Sequence, residues 1–242
     1  MRPLLRTCLA AGVLPAAPAL LAGCSTDVYL PPARLFPLES AATLPRGDTG
    51  VQVEGGVHGA GFGVSATSGT VRVRHGIDDA TDASMEASVL HIEGAGPGDS
   101  YPNAFTTRIG VKHRVTPWLS VTAGVGGGAS AGGGFVSPDL GVIVAYENRY
   151  FVPFLEARGG FSEPFDAQPV VVGTQPGVAP PFTWIAGGVA GFRVPLRWCD
   201  GEGQCDKPTS LLGGLGVTDF DYPGPDSPQL VFSLGGAVEF TF

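Results

Sequence analysis

Residues 229–242 read QLVFSLGGAVEFTF. Leu230, Phe232, Leu234, Val238, Phe240 and Phe242 fall on alternate positions, and Ser233, Gly235, Ala237, Glu239 and Thr241 stand between them. A period of two is the side-chain period of a β-strand, whose successive residues point to opposite faces. One face of this strand therefore wants apolar surroundings. The other is small and polar, with one carboxylate that needs a partner if it is buried.

The same alternation recurs upstream. In TVRVRHG, Arg72 and Arg74 share a face opposite Val71 and Val73. In TRIGVKHR, Arg108, Lys112 and Arg114 alternate with Ile109 and Val111. Gln52 and Glu54 oppose Val51 and Val53; Glu147 opposes Val144 and Tyr146; Glu156 and Arg158 share a face. Ten such strands are expected, near 50–62, 69–77, 83–93, 104–115, 118–128, 136–147, 149–161, 182–194, 209–218 and 229–242. No later apolar run reaches the ~18 residues of a membrane helix, and 38 glycines in 242 residues disfavour helices altogether.

The links between these strands sort by length. After even strands they are mostly short: 78–82, 116–117 and 148. After odd strands they are often long: 94–103, the Gly-rich 127–135, 162–181 and 219–228. The link 63–68 is short and 195–208 is long, against the trend. Alternating short and long connections predict an antiparallel up-and-down sheet with a plain rim and an elaborate rim, both chain ends on the plain one.

The polar faces collect Arg72, Arg74, Arg108, Lys112, Arg114, Arg158 and Arg193 with Glu54, Glu86, Glu147, Glu156 and Glu239. Both signs occur in similar numbers, so they can pair inside a narrow barrel without an apolar core. Charged residues are only 15%, and lysine is confined to Lys112 and Lys207. A soluble domain wearing those faces outward would carry more charge and more lysine. The net charge of -8 and the absence of a basic stripe argue against a nucleic-acid partner. Trp118, Tyr146, Tyr150, Trp198, Phe240 and Phe242 fall near the short-turn ends of strands, where an interfacial aromatic belt would lie.

On these residues the region 50–242 resembles the small bacterial outer-membrane β-barrel superfamily. The resemblance implies an all-β transmembrane barrel of about ten strands (8–12), short periplasmic turns, long external loops, and both termini on the periplasmic side. It also implies that Phe242 serves as the signal read by the barrel-insertion machinery. Outer-membrane lipid is the implied surround; a surface partner or small solute is left unnamed.

The first 23 residues, MRPLLRTCLAAGVLPAAPALLAG, carry Arg2 and Arg6 ahead of an apolar run, as export signals do. Leu21-Ala22-Gly23-Cys24 resembles the lipobox of bacterial lipoproteins, which implies cleavage before Cys24 and acylation of it; a plain signal peptide with an incidental Cys is the other reading. Residues 24–49 are Pro-rich and without a period, so they read as an anchor and tether. Cys199 and Cys205 form the expected disulfide of an exported chain, closing the one overlong short-side turn; metal binding is the alternative, without a nearby His to complete it.

Little of this is catalytic. His58, His75, His91 and His113 lack metal-ligand spacing. A membrane enzyme would need His58 or His91 beside Ser88 or Glu93, and nothing in the spacing joins them. GVGGGASAGGGF (124–135) lacks the context of a phosphate loop and reads as a flexible external loop. Asp219, Asp221 and Asp226 read as solvated loop acids. The expectation is therefore a non-enzymatic integral barrel with a structural, surface-interaction or narrow-passage role and no cofactor or metal. A lipid-anchored lipocalin-like binding barrel and a membrane-embedded enzyme acting on lipid or peptide are the alternatives.

Overall fold

The structure is a computed structural model describing residues 30–60, 65–93, 103–130, 132–169, 179–196, 209–223 and 228–242. Ten strands of 12–14 residues follow one another: β1 (Thr49–Ala60), β2 (Ser65–Gly76), β3 (Thr81–Glu93), β4 (Ala104–Thr116), β5 (Leu119–Ser130), β6 (Gly133–Ala145), β7 (Val152–Pro164), β8 (Thr183–Leu196), β9 (Thr209–Asp221) and β10 (Gln229–Thr241). Each pairs antiparallel with its neighbours in sequence, and β1 pairs with β10 to close the barrel. Closure leaves no sheet edge. Gln52 faces Glu239 across the seam, and Val53 faces Val238.

The strand ends at 76/81, 116/119, 145/152 and 196/209 lie at one rim, and those at 60/65, 93/104, 130/133, 164/183 and 221/229 at the other. Most of the Gly-rich stretch expected as a flexible loop is strand instead. Gly126 pairs with Ser137, Gly128 with Phe135 and Ser130 with Gly133. Glycine is a poor strand former in isolation, but here the fixed register of two long neighbours supplies the pairing, and close approach inside the barrel requires the missing side chain.

The outward faces are mainly apolar, with exposed polar side chains such as His75, His113, Glu163 and Asp221 toward the strand ends. Val53, Val57, Val71, Val73, Met85, Ile109, Val121, Leu140, Val142, Leu155, Leu215 and Leu234 are all exposed. Leu140, mid-strand on β6, is 69% exposed and Met85 64%. Aromatic residues border this belt at both ends. Trp118, Tyr146, Tyr150, Phe151, Phe192, Phe240 and Phe242 stand at the short-turn rim, with Phe151 and Phe192 stacked at 5.5 Å. Phe105, Phe165, Trp184 and Phe232 stand at the other, where Trp184 packs edge-on against Phe161 and Phe182. Trp198 lies outside the described residues. No helix among the described residues is long and apolar enough to cross a membrane, which says nothing about a crossing made by strands.

The expected tether is the largest correction. Residues 30–44 do not hang free of the barrel but run through its interior in irregular extended form. Leu30, Ala33, Arg34, Phe36, Leu38, Glu39, Ser40 and Ala41 are buried, Leu38 and Ala41 completely. The segment enters near the end of β7, where the Pro31 carbonyl accepts from Ser162 Oγ at 2.9 Å. It leaves beside the start of β3, where Leu44 N–H donates to Asp82. A turn at 45–48 then leads into β1. Gly47, at φ +86° in the left-handed region that favours glycine, donates its N–H to Gly76 at 2.9 Å. Leu30 therefore sits at the long-loop rim. Phe242, hydrogen-bonded in both directions with Thr49, sits at the other. Thr49 and Phe242, the two ends of the barrel wall, thus share the short-turn rim, while Leu30 lies at the other because the chain runs through the lumen before β1.

Candidate functional site: a lumen filled by the chain itself

The inward faces make two walls. β1–β4 and β7 contribute Gln52, Glu54, Arg72, Arg74, Asp82, Glu86, Arg108, Lys112, Glu156 and Arg158; β6 and β8–β10 contribute Ile143, Ala145, Val189, Leu212 and Ala237, joined by Val152 and Phe154 of β7. The plug segment matches both. Phe36, Leu38 and Ala41 complete one cluster with the apolar wall, while Arg34 and Glu39 meet the charged wall. The lumen thus has an apolar core after all, which the reading of paired charges alone had excluded; the apolar residues that build it come partly from the segment taken for a tether.

Glu39 is the hub. Its carboxylate lies 2.7 Å from Arg34 Nη1, 3.1 Å from Arg72 Nη1, 3.4 Å from Lys112 Nζ and 3.7 Å from Arg158 Nη2. Arg34 in turn reaches Glu86 at 3.2 Å and Glu54 at 3.9 Å. The plug therefore inserts an anion among wall cations and a cation among wall anions, which is how buried charge is tolerated. The wall closes its own network around it. Arg74 binds Asp82 and Glu239, each at 2.6 Å, and so ties β10 to β2 and β3 across the closure. Arg108 grips Asp139 with two parallel bonds, at 2.6 and 2.7 Å, and Glu86 at 2.9 Å; a bidentate pair of this kind fixes geometry as well as charge. Arg158 pairs with Glu156 at 2.7 Å.

Backbone groups of the plug are satisfied by wall side chains, as buried peptide groups must be. Ala33 O accepts from Thr106, Leu38 O from Gln52 and Arg72, Ser40 O from Lys112, Ala41 O from Ser120 and Ala42 O from Arg74. Leu38 N–H donates to Glu54 and Ala42 N–H to Glu147. Pro31, Pro32 and Pro37 have no N–H to satisfy. The wall also makes room. A β-carbon on Gly214 would stand 2.9 Å from Leu38 Cδ2, one on Gly216 2.9 Å from the Phe36 ring and one on Gly235 2.6 Å from it, while one on Gly126 would meet the Ala33 methyl. One void beside Arg34, Asp139, Glu156 and Arg158 is about 30 Å³, space for a water molecule or two.

Of the charges expected in the lumen, Glu54, Arg72, Arg74, Glu86, Arg108, Lys112, Glu156, Arg158 and Glu239 are brought together in this network. Arg193 lies at its lower edge, bonded to Ser210 and Ser40 and 3.9 Å from Glu147. Arg114 is not part of it: it sits at the short-turn rim and donates to the Asp79 carbonyl. Arg34, Glu39, Asp82 and Asp139 were missed. Cys24, Cys199 and Cys205 lie outside the described residues.

The histidines do not assemble an active site. His58 is buried between Ser233 Oγ at 2.8 Å and Ser68 Oγ at 2.7 Å, under the Phe36 ring. His91 is exposed and bonds Asn103, whereas Ser88 pairs with Thr70. The Glu93 side chain is outside the described residues. The hydrogen-bond partners of His58 are two serine hydroxyls, and the plug covers it. Among the described residues no group of His, Cys, Asp and Glu is placed to hold a metal ion.

No family model matches the chain, and no curated protein matches its sequence. Solved structures do. An outer membrane channel from Pseudomonas putida F1 superposes with a TM-score of 0.47 at 12% identity, covering 86% of this chain and 100% of that one. The β domain of the Bordetella autotransporter BrkA gives 0.45 at 11%, covering 79% and 98%. The N-terminal β-barrel domain of Pseudomonas aeruginosa OprF gives 0.37 at 10%, covering 81% and 100%. Superpositions this loose assign nothing further, and the barrel stands on its own strand pairing.

Proposed function

We propose that the protein is an integral outer-membrane barrel whose lumen is sealed by its own N-terminal segment, with a structural or surface-interaction role rather than that of a standing pore. The observation that carries this is the division of faces: a mainly apolar outer surface bordered by aromatic rims, with the charges of the lumen paired. Such an exterior suits hydrocarbon and not water. The same division disfavours a lipid-anchored lipocalin-like module, which needs an empty apolar cup and a polar exterior. The buried, plug-covered His58 gives an enzyme little support. In this reading the short turns and Phe242 face the periplasm, Phe242 is presented to the insertion machinery, the long loops face outward, and Cys24 carries lipid.

The test is extraction and migration. The membrane-fraction protein should resist carbonate and shift on a gel only after heating, and the purified barrel should hold planar bilayers closed. Release by carbonate without a heat shift would remove the membrane reading; steady conductance would remove the sealed lumen.

A further inference from the structure

The plug is held as a bound peptide is held, not as a strand added to a sheet. Among the described residues, no backbone group of 30–44 bonds to wall backbone. Side chains meet it instead. Carbonyls from Pro31 to Ala42 accept from wall groups such as Ser162, Thr106, Gln52 and Lys112, and the N–H groups of Leu38 and Leu44 donate to Glu54 and Asp82. A row of amide carbonyls met one by one is what a peptide presents and a small solute does not. Between these contacts the wall reads side chains. Cations surround Glu39, Glu86 meets Arg34 at 3.2 Å, and glycines at 216 and 235 leave room for the Phe36 ring. Pro31, Pro32 and Pro37 hold the backbone extended in advance, so little freedom is lost on seating it.

We propose that the lumen is a binding site for an extended, proline-bearing peptide with a basic, an aromatic and an acidic residue spaced as Arg34, Phe36 and Glu39, and that residues 30–44 are its exchangeable occupant. The proposal rests on the sealed-lumen reading and adds a ligand class to it. Residues 45–48 join the segment to β1, and so short a link gives an effective concentration of roughly millimolar. A peptide supplied from another chain therefore competes poorly while the join is whole. Cutting the join, or weakening the contacts of Glu39, removes that advantage.

The experiment uses the full chain with a site for a sequence-specific protease inserted between Arg46 and Gly47, in the exposed turn before β1. After cleavage in detergent micelles, with the heat shift retained, the protein is titrated with a dye-labelled peptide of residues 30–46. The cut protein should bind one peptide per barrel, with saturation, and release its own segment; the uncut protein should not. A Glu39→Gln peptide should bind at least a hundredfold more weakly, and a scrambled peptide of the same composition should show no saturation. In a cut Glu39→Gln protein, the parent peptide should displace the weaker occupant at about a hundredfold lower concentration. Equal binding of parent and scrambled peptides overturns the proposal. So does a cut protein that holds bilayers closed and takes up no peptide, a result that leaves the lumen sealed and removes only the exchange. Steady conductance by the uncut protein would instead remove the sealed lumen, and the proposal with it.

Discussion

Glu39→Gln should loosen the plug while leaving the barrel standing. Four cations lie within 3.7 Å of that carboxylate, all with nearly buried side chains. Glutamine keeps the shape and removes the charge, so Arg72 and Lys112 lose the plug anion that faces them. Removing one partner of a buried pair costs about 3–5 kcal/mol. At about 1.4 kcal/mol per tenfold, the withdrawn state gains roughly 10²- to 10³-fold in population. The β-ladder does not depend on Glu39, so heat-modifiable migration should be unchanged. Withdrawal exposes the Arg34–Leu35 bond, and trypsin cleavage there tracks the open population when opening is fast relative to cleavage. The assay follows that bond by mass spectrometry in an Arg46→Gln background, which removes the exposed neighbouring site. The Glu39→Gln protein should be cut at least a hundredfold faster, at the lower end of that estimate. A rate equal to that of the parent would refute the assignment of Glu39 as the hub.

Further outcomes follow from the same contacts. Deleting residues 30–44 should turn a silent barrel into a conducting one in planar bilayers, since the segment occupies the lumen along its length; continued silence would mean the wall side chains close it unaided. Gly216→Leu should expel Phe36, because even its β-carbon would lie 2.9 Å from the ring, and should raise Arg34 cleavage as Glu39→Gln does; Gly69→Leu, on the outward face with open space around it, should not. Leu140→Arg, at mid-strand facing lipid, should cost about 2–4 kcal/mol in urea titrations in vesicles, and no cost would contradict a hydrocarbon surround. Arg74→Gln removes the tie across the closure to Glu239 together with the tie from β2 to Asp82 of β3, and should lower the temperature at which the barrel unfolds on gels; an unchanged temperature would mean the seam holds by backbone pairing alone.

Strand alternation was legible because a barrel wall has two different solvents, one on each face, and Arg72, Arg74 and Arg108 declare the inner one at a period of two. The number of strands and the inward side of Glu239 followed from that. The plug was not legible because its surroundings differ in kind. A segment threaded through a lumen touches wall on every side, so Leu30, Phe36, Leu38 and Leu44 show no single-face period, and its prolines read equally as a linker. Two signs were present. Residues 30–38 hold Leu30, Leu35, Phe36 and Leu38 around Arg34, more apolar than a solvated tether needs. The strands also carry more inward glycine than a barrel filled only by its own side chains would use: Gly126, Gly214, Gly216 and Gly235 are vacant places for something else. Read as loop, the glycines of 124–135 concealed that signal. Asp139 was missed because Pro138 and Gly141 interrupt the alternation around it.

The most direct measurement of the sealed lumen is a cross-link between plug and wall. Leu38 lies against Gly214, its Cδ2 2.9 Å from where a β-carbon of that glycine would stand. A diazirine-bearing side chain at position 38, irradiated in the folded protein within its membrane and digested for mass spectrometry, should yield a peptide joined between position 38 and the wall at β9. No join between position 38 and any strand, in a barrel that still shows its heat shift, would mean that residues 30–44 lie elsewhere and the lumen is not filled by its own chain.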